Sequence, residues 1–177
     1  MPNLLLYNID TLATFDNDRK VLKNAWILIQ DNLIKEIGTG RCEFEGIDQR
    51  LDLSGYVVLP GLINLHHHFY QALIRNVPTL QDASLFRWVR DMRMLMSEIR
   101  DEDLFIASKT NIAELLLSGC TTTVDHNYLK VNDMKQETGI QAAQELGIRF
   151  HLARGSHTDS PIGTVSPLVL TVEKEDD

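Results

Sequence analysis

Apolar and polar residues alternate in short runs over residues 3–58, and a period of two is typical of half-buried strands. Between two of these runs lies Asp31-Asn32, a pair that tolerates the positive φ of a tight hairpin turn. Gly55 marks a second turn, and the polar residues 40–50 are expected to form a surface loop. The predicted strands are Leu4–Leu12, Ala25–Gln30, Leu33–Gly38 and two short pieces within Leu51–Val58. Residues 1–58 are therefore predicted to be a small β-rich segment.

From residue 59 onward the pattern changes to strands that alternate with helices. Ser84 and Asp101 are suitable N-caps, and Gly119 and Gly147 suit the position that ends a helix. The predicted elements are the strands Leu62–His68, Thr121–Asp125 and Ile148–Ala153 and the helices Ser84–Glu98, Asp101–Ser118 and Asp133–Leu146. Their βαβαβ order implies parallel strands with right-handed crossovers. Residues 59–177 are predicted to be an α/β segment whose pattern fades after Arg154.

Composition excludes several classes of partner. The chain has 177 residues, 44% of them hydrophobic, and a formal net charge of −8, which repels nucleic acid and anionic lipid. No apolar segment is long enough to cross a bilayer. Its two cysteines, Cys42 and Cys120, form no C-x-x-C pair and indicate no disulfide framework, so a cytoplasmic setting is expected.

Three of the six histidines stand together in the run His66-His67-His68. Alternate side chains of a strand share a face, so His66 and His68 are expected to point the same way and His67 the opposite way. Two imidazoles on one face supply half of a zinc site, because a catalytic zinc usually takes three protein ligands and keeps one position for water. The remaining ligands have to come from other residues.

Several longer motifs resemble the amidohydrolase superfamily of metal-dependent hydrolases. Within it, the similarity is to aminohydrolases of heterocycles, such as guanine, 8-oxoguanine and hydroxyatrazine deaminases. The motifs that carry this resemblance are Trp26–Gly38, Leu59–Asn64, His66-His67-His68-Phe69-Tyr70-Gln71, Leu115–Thr122, Asp125-His126 and Arg149–Ser156.

The resemblance implies a fold and a reaction. The expected fold class is α/β, the N-terminal part of a (β/α)8 TIM barrel preceded by a small β-sandwich segment. His66 and His68 would bind one divalent ion, zinc or else iron or manganese, and Gln71 and Arg154 would face a small heterocyclic substrate. In such enzymes a metal-bound hydroxide attacks the ring carbon that carries the amino group, and ammonia leaves.

The remaining histidines have weaker signals. Asp125 and His126 close the second barrel strand, where they either orient the substrate or tie loops together. His67 is expected to have a structural role, and so is His151, whereas His157 is expected to be a loop residue.

The sequence also predicts an incomplete catalytic set. A (β/α)8 barrel takes about 250 residues, so residues 59–177 hold three of its strands, and no His-x-x-Glu motif occurs in the chain. A truncated portion with negligible turnover is therefore expected. Two alternatives stay open: a non-catalytic remnant that associates with itself or a partner through an open sheet edge, and a site shared between subunits in which His126, His151 or His157 completes the metal shell.

Overall fold

The computed structural model describes residues 3–129, 135 and 137–155. The chain divides into two compact units, Met1–Pro60 and Gly61–Asp177. This division falls two residues after the boundary that the sequence indicates. No helix in the described part of the chain is both long and apolar enough to cross a lipid bilayer.

The first unit is built around one five-stranded sheet with the order β3-β2-β1-β4, in which β5 also pairs with β1. Its strands are β1 (Leu4–Ala13), β2 (Val21–Gln30), β3 (Leu33–Thr39), β4 (Gln49–Asp52) and β5 (Val57–Val58). The β2–β3 hairpin turns at Asp31, whose φ is +57°, as its sequence predicts. Ile9, Leu12, Ala25 and Ile27 form the core of this sheet. Within the described residues all five strands of this unit belong to one sheet.

The second unit is a parallel sheet with the order β6-β7-β8, as the βαβαβ pattern predicts. Its strands are β6 (Leu62–Asn64), β7 (Cys120–Asn127) and β8 (Arg149–Arg154), and its helices are α1 (Leu85–Met96), α2 (Asp101–Leu117) and α3 (Glu137–Leu146). A 3-10 turn at Phe69–Ile74 follows β6 closely; we refer to it as the 69–74 turn. The helices α2 and α3 bury Phe69, Ile112 and Ile148 in one core.

The strand that leads to the histidines ends at Asn64, so the prediction of a strand through His68 is wrong for residues 65–68. At this point the side chain of Asn64 competes with the ladder, because its Oδ1 accepts a hydrogen bond from the His66 N–H at 3.3 Å. Beyond Asn64, the histidine run contacts β7 through isolated hydrogen bonds and not through a regular strand ladder. They include a bond from the His126 N–H to the His67 carbonyl at 2.8 Å.

Helix ends follow the capping residues, with one exception. Gly119 and Gly147 adopt φ of +84° and +76° and end α2 and α3, because glycine reaches the left-handed region without strain. At the start of α2 the N-cap is Arg100, not Asp101, and its N–H donates to the Asp103 carboxylate at 2.9 Å. The helix predicted from Asp133 begins at Glu137, and residues 133 and 134 lie outside the described residues.

Candidate metal centre

The histidine run lies beyond the carboxyl end of β6, next to the carboxyl end of β7. The rings of His66 and His68 contact each other edge to face, with centroids 5.1 Å apart. The ring of His126, near the end of β7, lies 5.3 Å from the ring of His68. His67 packs instead against Phe69, with centroids 5.0 Å apart. His68 therefore contacts two histidine rings, His66 from its own run and His126 from the neighbouring strand end.

A backbone carbonyl fixes the orientation of His68. Its Nδ1 lies 2.6 Å from the carbonyl oxygen of His126. A carbonyl oxygen only accepts hydrogen bonds, so the Nδ1 of His68 carries the proton and Nε2 keeps its lone pair. Burial lowers the pKa of His68, which favours the neutral form that a metal ligand needs. The lone pair on Nε2 of neutral His68 is therefore one that could bind a metal ion.

His67 is held in the opposite tautomer. The N–H of His68 donates to Nδ1 of His67 at 3.0 Å, so the neutral His67 carries its proton on Nε2. Burial, with the nearby Arg75 cation as a second cause, lowers the pKa of His67. The lone pair of neutral His67 is thus engaged by the backbone, which suits the structural role expected for this residue.

The described residues fit half of a zinc site. The ring contact between His66 and His68 places two imidazoles together, and a neutral imidazole is a good zinc ligand. Across residues 3–129, 135 and 137–155, no group of three or more His, Cys, Asp or Glu side chains could hold a metal ion. His126 therefore adds a ring to the cluster without completing a three-ligand set.

Gln71 lies in the 69–74 turn, beside a cavity of about 220 Å³. Its N–H donates to the His68 carbonyl at 3.0 Å, which places the amide next to the histidine run. The cavity is lined by His67, His68, Gln71, Ala72, Ile74, Arg75, Leu80, Gln81, Trp88 and Asn111. Several amide, imidazole and guanidinium groups thus converge on a space beside His68 that admits a small polar molecule.

Arg154 is separated from this cavity. It is the last residue of β8, it is exposed, and its register partner on β7 is Asn127. Neither Arg154 nor His126 lines the cavity that Gln71 borders. His151 is exposed on β8 opposite Val124, and His157 lies outside the described residues. The structure therefore brings His66, His68, Gln71 and His126 close together and leaves Arg154 at a neighbouring strand end.

Two further residues lie beside these histidines: Asp125, which the sequence indicates together with His126, and Tyr128, which the sequence does not single out. Asp125 is 1% exposed and its Oδ1 accepts the Phe69 N–H at 2.9 Å, while burial raises the pKa of its carboxyl to about 6. Tyr128 places its ring 5.4 Å from His68 and 5.6 Å from His126, and the guanidinium of Arg93 lies 5.8 Å from the Tyr128 ring centroid. The sequence signal for Asp125 is its place beside His126 near the carboxyl end of a barrel strand, and no such signal marks Tyr128.

Comparison with known proteins agrees with this fold. The amidohydrolase family matches residues 57–175. The chain is 41% identical over 133 residues to 8-oxoguanine deaminase of Pseudomonas aeruginosa, covering 73% of this chain and 30% of that protein. It is 30% identical over 172 residues to hydroxydechloroatrazine ethylaminohydrolase of Pseudomonas sp. strain ADP, covering 89% of this chain and 36% of that protein.

A solved structure gives the same result for the fold. The zinc complex of atrazine chlorohydrolase from Arthrobacter aurescens TC1 matches with a TM-score of 0.88 and 28% identity, covering 98% of this chain and 40% of that one. The chain spans about a third of the length of the curated relatives just described. On the strength of the matched residues and the shared α/β architecture, the chain belongs to the amidohydrolase family.

Proposed function

We propose that this chain supplies the metal-binding end of an aminohydrolase that removes an amino group from a small heterocycle by hydrolysis. The observation that carries the proposal is the orientation of His68, whose Nδ1–H bonds to the His126 carbonyl at 2.6 Å and leaves Nε2 free beside His66. The names of two relatives, 8-oxoguanine deaminase and isoxanthopterin deaminase, support a purine or pterin ring as the substrate. The name of a third, hydroxydechloroatrazine ethylaminohydrolase, supports a triazine ring.

Each site residue has a role in this proposal. His66 and His68 hold a zinc ion, or an iron or manganese ion, all of which accept imidazole nitrogen. When bound, such an ion supplies a water molecule of lowered pKa. Gln71 offers both a donor and an acceptor to the edge of a ring in the adjoining cavity. His126 and Arg154 contact the substrate from the ends of β7 and β8.

We also propose that the isolated chain has negligible turnover. The described residues offer no third metal ligand to His66 and His68, and two imidazoles bind zinc weakly. The sequence has no His-x-x-Glu motif to move the protons of the reaction.

Metal uptake tests the site. Zinc bound per chain is measured for the purified protein and for His66→Ala, His68→Ala and His151→Ala variants. The first two variants should lose zinc, while His151→Ala should match the parent chain. Equal zinc in all four proteins would refute the histidine site, and zinc lost in His151→Ala as well as in the first two variants would indicate the site shared between subunits.

Ammonia release tests the activity. The zinc-loaded chain is incubated with 8-oxoguanine, isoxanthopterin and a hydroxylated aminotriazine, and ammonia is measured against a metal-free sample. No release above the metal-free sample is expected. Turnover at rates typical of enzymes, about 1 per second or faster, would refute the proposed incompleteness of the isolated chain.

A second function is favoured by the edges of the parallel sheet. In the described residues β6 and β8 each pair with β7 alone, so each has one open edge. Leu62 and Ile63 on β6 are 62% and 65% exposed. An open strand with apolar side chains pairs readily with another chain. We propose self-association through these edges, and light scattering distinguishes a defined oligomer from polydisperse material.

A further inference from the structure

We propose that Asp125 is a positioning residue of the metal centre: its carboxylate anchors the backbone that follows His68 and so aims Nε2 of His68 at the metal position. The inference rests on the proposed function, because it concerns the same metal site. Asp125 itself touches neither the metal position nor the cavity, and it acts through Phe69 and His68.

Three hydrogen bonds join the end of β7 to the histidine run. The His126 N–H donates to the His67 carbonyl at 2.8 Å. Nδ1 of His68 donates to the His126 carbonyl at 2.6 Å, and the Phe69 N–H donates to Oδ1 of Asp125 at 2.9 Å. Two of these bonds use backbone atoms that every residue possesses. The bond to Asp125, which accepts from the Phe69 N–H, is the one of the three that depends on a side chain of β7.

This side-chain bond matters because the histidine run lies outside the regular ladder. The strand β6 ends at Asn64, so residues 65–68 are not fixed by regular pairing with β7. The Phe69 side chain is fully buried, and its N–H has no water to bond if Asp125 is lost. An unpaired buried N–H makes the observed backbone path unfavourable, and a changed path moves His68 away from the His126 carbonyl.

The carboxylate is in turn buried between β7 and the helices. Asp125 lies on the buried face of β7, and its Oδ2 and the Oγ of Ser108 both lie near Gly139 of α3. A Cβ placed on Gly139 would be 3.9 Å from that Oδ2 and 3.8 Å from that Oγ. The carboxylate therefore sits between strand and helix, and the bond from the Phe69 N–H to Oδ1 is the hydrogen bond that the described residues give it. Residues that orient metal ligands in this way typically change metal affinity about 10- to 100-fold when mutated.

Metal affinity gives the first readout. Zinc or cobalt dissociation constants are measured for the full chain and for Asp125→Ala, Asp125→Asn and Asn127→Ala variants. We expect Asp125→Ala to bind about 10-fold or more weakly and Asp125→Asn, which keeps the acceptor oxygen, to bind within about 3-fold of the parent. Asn127→Ala is the matched control, because Asn127 is also 1% exposed on β7 but its Oδ1 accepts the Leu129 N–H.

Either of two results of this measurement would overturn the inference. Asp125→Ala binding as tightly as the parent, or Asn127→Ala losing as much affinity as Asp125→Ala, shows that Asp125 does not position the ligand. If the alanine variant does not fold, Asp125→Ser decides in the same way, because its short hydroxyl cannot span the distance to the Phe69 N–H.

A readout without metal separates this inference from the proposed function. Amide hydrogen exchange of Phe69 and the ring ¹⁵N shifts of His68 are measured by NMR in the metal-free chain. Asp125→Ala should expose the Phe69 amide to exchange and mix the two tautomers of His68, while Asn127→Ala should leave both unchanged. A parent chain that binds no metal refutes the proposed function alone. An Asp125→Ala variant with a protected Phe69 amide and a single His68 tautomer refutes the positioning role.

Discussion

His67 and His68 are adjacent in sequence, yet the backbone holds them in opposite tautomers. His68 donates from Nδ1 to a carbonyl, and His67 accepts at Nδ1 from an N–H. The direction of each bond follows from the chemistry of the backbone group and not from the imidazole. His68 therefore keeps the lone pair on Nε2, whereas the Nδ1 lone pair of His67 accepts a backbone hydrogen bond.

The buried carboxyl of Asp125 gives a prediction for the pH dependence of stability. Burial raises its pKa in the folded chain to about 6, against about 3.9 for an unfolded aspartate. The folded state thus binds this proton more tightly, and the stabilisation present below about pH 4 is lost as the pH rises through about 6. Two pKa units correspond to about 3 kcal/mol of unfolding free energy.

Asp125→Asn should remove this contribution. Urea unfolding of the parent chain and the variant is compared at about pH 4.5 and about pH 7.5, where the other carboxyl groups affect both proteins equally. The asparagine variant should gain stability relative to the parent as the pH rises. A difference in unfolding free energy that stays constant between the two pH values would contradict the prediction.

Gly155 gives a second prediction, because its backbone lies against the site. A Cβ at this position would be 2.7 Å from Nε2 of His126 and 2.7 Å from Cβ of Tyr128. The histidine ring can swing aside, but the Cβ of Tyr128 is fixed to the backbone. Gly155→Ala should therefore cost about 1 to 3 kcal/mol in thermal or urea unfolding and shift the ring resonances of His126.

Gly139→Ala is the control for that substitution. A Cβ there would meet its nearest atom, Cζ of Phe150, at 3.6 Å, an ordinary van der Waals distance. Alanine is also a better helix former than glycine by up to about 1 kcal/mol, so this variant should be as stable as the parent or more stable. Equal losses in the two variants would show that the crowding at Gly155 is not the cause.

At the scale of elements, the sequence predicts those whose pattern is long and local. The β2–β3 hairpin and the parallel order of β6, β7 and β8 follow from alternation, Asp31 and the intervening helices. The apolar run continues past Asn64 and therefore predicts a longer β6. The strand ends there because the side chain of Asn64 bonds to the His66 N–H and the N–H of His126 bonds to the His67 carbonyl. Such competition depends on groups that are distant in sequence.

The site, too, combines features that a local pattern predicts with contacts between residues distant in sequence. The spacing of His66 and His68 predicts two rings on one side, and the structure shows them in contact. The hydrogen bond from Phe69 to Asp125 joins residues 56 positions apart. No local pattern encodes such a bond, because it arises only when β7 docks beside β6. The metal and substrate roles themselves stay predictions.

The join between the 69–74 turn and α2 gives a third prediction. Asn111 of α2 is 1% exposed, and its Nδ2 donates to the Phe69 carbonyl at 2.7 Å. Beside it, Arg75 and Glu114 form a two-bond ion pair at 2.6 Å whose side chains are 44% and 53% exposed. The two contacts join the same elements but differ in burial.

The more buried contact should contribute more to the free energy of unfolding. Asn111→Ala leaves a buried carbonyl without its donor and should cost about 1 to 3 kcal/mol of unfolding free energy. Glu114→Ala removes an exposed pair and should cost less than about 1 kcal/mol. Thermal unfolding of both variants checks the order, and a larger loss in Glu114→Ala would contradict it.

At the scale of the whole molecule, net charge and open sheet edges have opposite effects on self-association. A formal charge of −8 on 177 residues disfavours association at low ionic strength. The open edges of β6 and β8 and the exposed apolar residues of β6 favour it. The balance depends on salt, because screening weakens the repulsion and leaves strand pairing unchanged.

Ile63→Lys tests whether association uses the β6 edge. Ile63 is 65% exposed on that strand, and a lysine there discourages strand pairing without disturbing the core. Light scattering at about 0.5 M salt, where charge repulsion is screened, should show large or defined oligomers for the parent chain and a lower mean mass for the variant. Leu117→Lys is the matched control, because Leu117 is 89% exposed but lies at the end of α2. An equal fall in mass for both variants would assign association to general apolar exposure, and no change in either would remove the β6 edge as an interface.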